Sequence, residues 1–122
     1  MKKKRNRHPP FVMLTNELID SKAWKELSCY ARTVYIEIKR RYNGKNDGNL
    51  SYTYREASKI MHRLTFTKAL RELVNNGLID IIRSGGLYKK CNIFGLSDRW
   101  KFYGQENFKI GKLKVPDKII SD

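Results

Sequence analysis

Leu27, Ala31, Val34, Tyr35 and Ile38 recur at i, i+4, i+7, i+8 and i+11, and this single apolar stripe predicts a helix over roughly 29–41. Ser28 stands where its N-cap belongs, and Lys39, Arg40 and Arg41 in the last turn suit the negative end of the helix dipole. Asn43-Gly44 is the stop signal. Upstream, Thr15 caps a short helix through Leu18 and Ile19, and Ala23-Trp24 to Leu27 makes a further turn or two. Downstream, a polar loop over 43–49 gives way to Leu50-Ser51-Tyr52, a short strand. Thr53-x-x-Glu56 is a capping box, in which side chain and backbone satisfy each other at a helix start. It opens a helix over roughly 54–61 with Ala57, Ile60 and Met61 inward. His62-Arg63-Leu64 reads as a tight turn, and Thr65 as the cap of a helix over roughly 66–76 that Gly77 ends.

On that helix, at about 100° per residue, Thr67, Arg71, Asn75 and Lys68 share one arc, while Phe66, Ala69, Leu70, Leu73 and Val74 lie opposite. One face is apolar, and the other offers hydroxyl, guanidinium, amide and ammonium groups with no acid among them; Glu72 falls on the flank. Residues 78–83 form a β-branched strand bounded by glycine, Ser84-Gly85-Gly86 a hairpin turn, and residues 90–94 the returning strand. Ser97-Asp98 caps a last short helix bearing Trp100 and Tyr103, ended by Gly104. The segment 105–122 mixes apolar residues with four lysines and has no assignable element.

The order helix, helix, tight turn, helix and hairpin is mainly α with a small β-hairpin, an α+β class. The runs Thr53-Tyr54-Arg55-Glu56-Ala57-Ser58-Lys59-Ile60-Met61, Leu64-Thr65-Phe66-Thr67-Lys68-Ala69-Leu70-Arg71-Glu72-Leu73 and Asn76-Gly77-Leu78-Ile79 resemble the winged helix-turn-helix domain. In particular they look like the winged-helix modules of phage and plasmid replication proteins and of small prokaryotic transcriptional regulators. The stretches 18–28 and 96–100 share the likeness, which spans roughly 11–104. Residues 1–10 read as a basic disordered arm and 105–122 as a separate tail, and the likeness implies a three-helix core with a two- or three-stranded wing sheet between them. It also implies that helix 66–76 enters the major groove of double-stranded DNA and that loop 84–89 is the wing.

The side chains suit that use. Arg71 can pair two acceptors on a guanine edge, Asn75 can read adenine, and Lys68 can reach guanine or phosphate. Thr65 and Thr67, with the N–H groups of the helix start, suit a phosphate, and Arg55 and Arg63 join them as contact candidates. Lys89 and Lys90 lie at the base of the wing. The wing tip itself is uncharged, so Arg83 and Tyr88 are the nearest substitutes for a wing arginine. The arm residues Lys2, Lys3, Lys4, Arg5 and Arg7 follow a groove, hold phosphates, or merely keep the chain soluble.

Charge strengthens the picture. The chain has 122 residues, 26 Lys plus Arg against 12 Asp plus Glu, and a net charge of +14. Of this, +5 lies in residues 1–10 and +6 between 51 and 104, whereas 11–50 carries only +2. At 40% apolar residues the chain can bury a core, so a wholly disordered basic tail is excluded. No apolar run approaches a membrane span, and Phe11-Val12-Met13-Leu14 is too short for the apolar stretch of a secretion signal. Cys29 and Cys91 read as two buried thiols in a reducing, cytoplasmic (nucleoid-associated) setting, with one long-range disulfide as the alternative.

No His pair, Gly-rich phosphate loop or compact carboxylate set supports catalysis, and no cofactor or metal is expected. Trp24, Tyr35, Phe66 and Phe94 read as core rather than base-stacking platforms, and Tyr52, Tyr54 and Tyr88 as core, ordinary surface side chains or such platforms. His62 reads as an idle surface side chain or a phosphate contact. Two readings compete with duplex binding: a winged-helix module for protein interaction or dimerisation through 105–122, and a binder of single strands or RNA.

Overall fold

A computed structural model describes residues 9–83, 92–106 and 108. Short helices lead in, each capped by a hydroxyl. Thr15 accepts from the Leu18 N–H at 3.2 Å to open α1 (Asn16–Asp20), and Ser21 accepts from the Trp24 N–H at 3.2 Å to open α2 (Lys22–Lys25). Ser28 caps α3 (Cys29–Lys39) through the Ala31 N–H, 3.1 Å away. Every member of the Leu27-to-Ile38 stripe is buried.

The capping box forms at α4 (Tyr54–Ala57): the Thr53 hydroxyl accepts from the Glu56 N–H at 3.0 Å, and the Glu56 carboxylate accepts from the Thr53 N–H at 2.8 Å. A turn then leads into α5 (Arg63–Asn75), which packs chiefly on α3.

The sheet is an antiparallel pair, β1 (Ile79–Arg83) and β2 (Ile93–Leu96), with Ile79 opposite Leu96 and Ile81 opposite Phe94, and an irregularity between Ile81 and Arg83. Leu50 exchanges two backbone hydrogen bonds with Phe94, at 3.0 and 2.7 Å, so β2 lies between β1 and this one-residue bridge. Phe94 is wholly buried where sheet and helices meet. Trp24 meets Tyr35, and Tyr52 meets Phe66, edge to face, each pair with centroids 5.7 Å apart. Burial, with the Asp98 carboxylate as a lesser cause, pushes the Tyr35 phenol up to about 12. A 3-10 helix (Arg99–Phe102) closes the described part and sets Trp100 against the core. No helix among the described residues is long and apolar enough to cross a membrane.

Several expectations are corrected. Helix α5 starts at Arg63, not Phe66, because the cap is His62: its Nδ1 accepts from the Leu64 N–H at 3.1 Å, which requires the ring proton on Nε2. Thr65 therefore lies within the first turn and caps nothing. Helix α4 stops at Ala57, so helical spacing no longer applies to Ile60, which is exposed while Met61 is buried. The described part of the return strand is Ile93–Leu96, and residues 90 and 91, where it was expected to begin, lie outside the described residues. Of the expected Ser97-Asp98 cap, Asp98 holds the N-cap position without a side-chain bond, and the Ser97 hydroxyl accepts from the Arg99 N–H at 3.1 Å. Cys29 is exposed, being off the buried stripe of α3; Cys91 lies outside the described residues.

The capping box makes stability depend on pH. The Thr53 N–H, helped by Arg41, holds the Glu56 carboxyl below its usual range against a modest desolvation. A lowered folded pKa means the contribution is present above the ordinary glutamate value, about 4.3, and is lost as pH falls through the folded value. Urea denaturation of wild type and Glu56→Gln should show a gap at pH 7 that narrows once the pH falls below the ordinary glutamate value and closes through the lowered folded one. Thr53→Ala should cost about 1 kcal/mol at neutral pH.

Candidate nucleic-acid interface

Helix α5 carries the site because its two faces are sharply different. Phe66, Ala69, Leu70, Leu73 and Val74 are buried, whereas Lys68 and Asn75 are exposed and Arg71 is half-buried on the opposite side. These three expected residues thus share one solvent-facing line at i, i+3 and i+7. Thr67 does not join them. It is 5% exposed, and its hydroxyl donates to the Arg63 carbonyl at 3.1 Å. That bond satisfies the hydroxyl within the helix, so a threonine at the edge of the arc can turn inward.

The α4–α5 unit adds further bases. Arg55 on α4, Lys59 in the turn and Arg63 at the α5 start are all exposed. The Arg63 guanidinium lies 4.6 Å from the centre of the Tyr54 ring, a stacked arrangement that limits its wandering and leaves its edge for an anion.

The two acids of this region are engaged elsewhere. Glu56 closes the capping box and pairs with Arg41 at 2.9 Å. Glu72 accepts from the Ser28 N–H at 2.7 Å and the Ser28 hydroxyl at 2.9 Å, which ties α5 to the start of α3. Arg41 also stacks on Tyr52, 4.7 Å from the ring centre, and so belongs to the scaffold. The outcome is a basic, hydrogen-bond-rich helix face, with Glu56 and Glu72 each tied to groups of the scaffold.

Arg83 ends β1 and is exposed. The remaining expected residues, Tyr88, Lys89 and Lys90 of the wing and Lys2, Lys3, Lys4, Arg5 and Arg7 of the arm, lie outside the described residues, as does the turn Ser84-Gly85-Gly86. Of the 105–122 segment, Phe108 packs edge-on against Tyr103 with centroids 5.3 Å apart.

Leu64, Lys59, Tyr54 and the His62 cap were not expected at this face. Extending the α5 wheel one turn towards its N-terminus would have placed Leu64 on the Lys68 line; the Tyr54 stack has no counterpart in the sequence pattern. Among the described residues, no three His, Cys, Asp or Glu side chains gather as they would around a metal ion. The fold is thus a mixed one, helices with a small antiparallel sheet, presenting a basic helix face. No known protein family matches the chain, and neither does a curated protein or a solved structure.

Proposed function

We propose that this chain binds double-stranded DNA as a winged helix-turn-helix domain, with α4 and α5 as the helix-turn-helix and the β1–β2 pair, extended by the Leu50 bridge, as the base of the wing. The observation that carries this reading is the acid-free line of Lys68, Arg71 and Asn75 on α5, flanked by Arg55, Lys59 and Arg63, with Glu56 and Glu72 both held by scaffold groups. Affinity comes from phosphate neutralisation by Arg55, Lys59, Arg63, the arm and the wing lysines. Selectivity comes from Arg71 on guanine and Asn75 on adenine, with Lys68 on guanine or phosphate. Thr65 remains a phosphate contact; Thr67 is withdrawn from the set because it is buried. The biological role that the sequence resemblance suggests is transcriptional regulation, or accessory work in the replication of a mobile element, without catalysis.

A gel shift against random duplex at low salt tests the reading, and absence of any complex there would sink it. On a site selected from random sequence, Arg71→Ala should cost about 1–3 kcal/mol and relax preference at one base pair. An equal loss on every sequence would remove Arg71 from base reading.

A further inference from the structure

Leu64 is the apolar residue on the α5 line of Lys68, Arg71 and Asn75. It is 59% exposed, in the first turn, and lies at i−4 from Lys68, i−7 from Arg71 and i−11 from Asn75. Those spacings put it on the same side of the helix as the three polar residues. Its backbone is pinned as well, because its own N–H is the one held by the His62 ring. A single exposed leucine is ordinary on a protein surface. This one stands at the N-terminal end of the helix, the end that meets base edges when a helix enters the major groove. It is surrounded in sequence by the exposed bases Arg63 and Lys68, which favours a polyanion over an apolar protein surface as its partner.

In the major groove, the 5-methyl of thymine is the apolar group that a base pair presents. We infer that Leu64 is a specificity-determining residue that packs on a thymine methyl, an inference that rests on the duplex-binding reading above. At about 1.5 Å of rise per residue, Lys68 stands roughly 6 Å further along α5, and base pairs stack about 3.4 Å apart. Leu64 therefore reads a position about two base pairs from that of Lys68. The preference expresses the removal of one methyl group from water, with no hydrogen bond involved.

The test uses a duplex site selected from random sequence, with each thymine replaced in turn by deoxyuridine, which lacks only the methyl. Affinities of the full chain are read by fluorescence anisotropy at one salt concentration. At one thymine of each bound site, the replacement should weaken wild type about fourfold, the transfer value of one methyl group, and should leave Leu64→Ala unmoved. Leu64→Met, which keeps an apolar tip in reach, should retain the difference, and a thermal melt confirms that each variant is folded. Three results overturn the inference while leaving duplex binding intact: a selected site without thymine, a wild type indifferent to every replacement, or a methyl effect that persists in Leu64→Ala. A wild type that binds no duplex at all overturns both readings, which keeps the two failures distinct.

Discussion

Gly77→Ala should destabilise the protein by about 2–4 kcal/mol, whereas Gly48→Ala should cost only about 1. Both glycines hold a left-handed backbone, with φ of +87° and +86°. Their surroundings differ. A Cβ on Gly48 would meet nothing within 4 Å, while one on Gly77 would come within 2.7 Å of the Trp100 backbone nitrogen and 2.8 Å of the Arg99 carbonyl carbon. Gly77 is also where α5 ends. Its N–H returns to the Val74 carbonyl at 3.1 Å and the Leu78 N–H to the Leu73 carbonyl at 2.9 Å, the paired bonds of a Schellman motif. Its own carbonyl accepts from the Trp100 N–H at 3.1 Å. An added methyl group would therefore strain the end of α5 and push the closing 3-10 helix off the core together. The backbone atoms in its way cannot swing aside as a side-chain tip would. Urea midpoints of the two variants against wild type measure the difference directly; equal losses would mean that the close packing of the 3-10 helix on α5 contributes little.

What could be read in the sequence was governed by chemistry within a turn or two of chain. Thr15, Ser28 and the Thr53–Glu56 box act on N–H groups three residues away, and each caps the helix it was expected to cap. The α3 stripe was legible because burial on one side of a regular helix imposes its period on the residues. His62 escaped notice since an imidazole is not among the common caps, and Thr65, three residues on, offers the usual signal in the wrong place. That displacement concealed the first turn of α5 and Leu64 with it. Thr67 turned inward because its hydroxyl finds a carbonyl one turn back, a bond that a wheel of polar and apolar positions does not register. The tie between Glu72 and Ser28 spans 44 residues, and the Leu50–Phe94 bridge that sets the β2 register spans as many. Such long-range pairings leave no local pattern. Cys29 is exposed because its place in the apolar period lies off the buried stripe, which outweighs the general tendency of cysteine to be buried.

Duplex affinity should fall by about a thousandfold or more between 50 and 200 mM salt, the loss expected for about six to ten phosphate contacts. Beside the wing lysines Lys89 and Lys90, the proposed duplex binding draws those contacts from two further sources. Arg55, Lys59, Arg63 and Lys68 are exposed around α5 on a folded scaffold. Lys2, Lys3, Lys4, Arg5 and Arg7 bring five further charges with no acid among the first ten residues. Each neutralised phosphate contributes about 0.9 to the slope of log K against log salt. Deleting residues 2–7 should therefore flatten the slope by up to about 4.5, while Lys59→Ala flattens it by about 0.9. Because phosphates carry no sequence information, the deletion should weaken selected and random duplexes by the same factor, leaving their affinity ratio where it was. Arg71→Ala should do the opposite, lowering that ratio more than the slope. Titrations of both duplexes at several salt concentrations, for wild type and the three variants, separate the two effects. An arm deletion that leaves the slope unchanged would make those five charges a solubilising tail. One that alters the ratio would mean that the arm reads bases, and α5 would then share with it the selectivity assigned above to the helix alone.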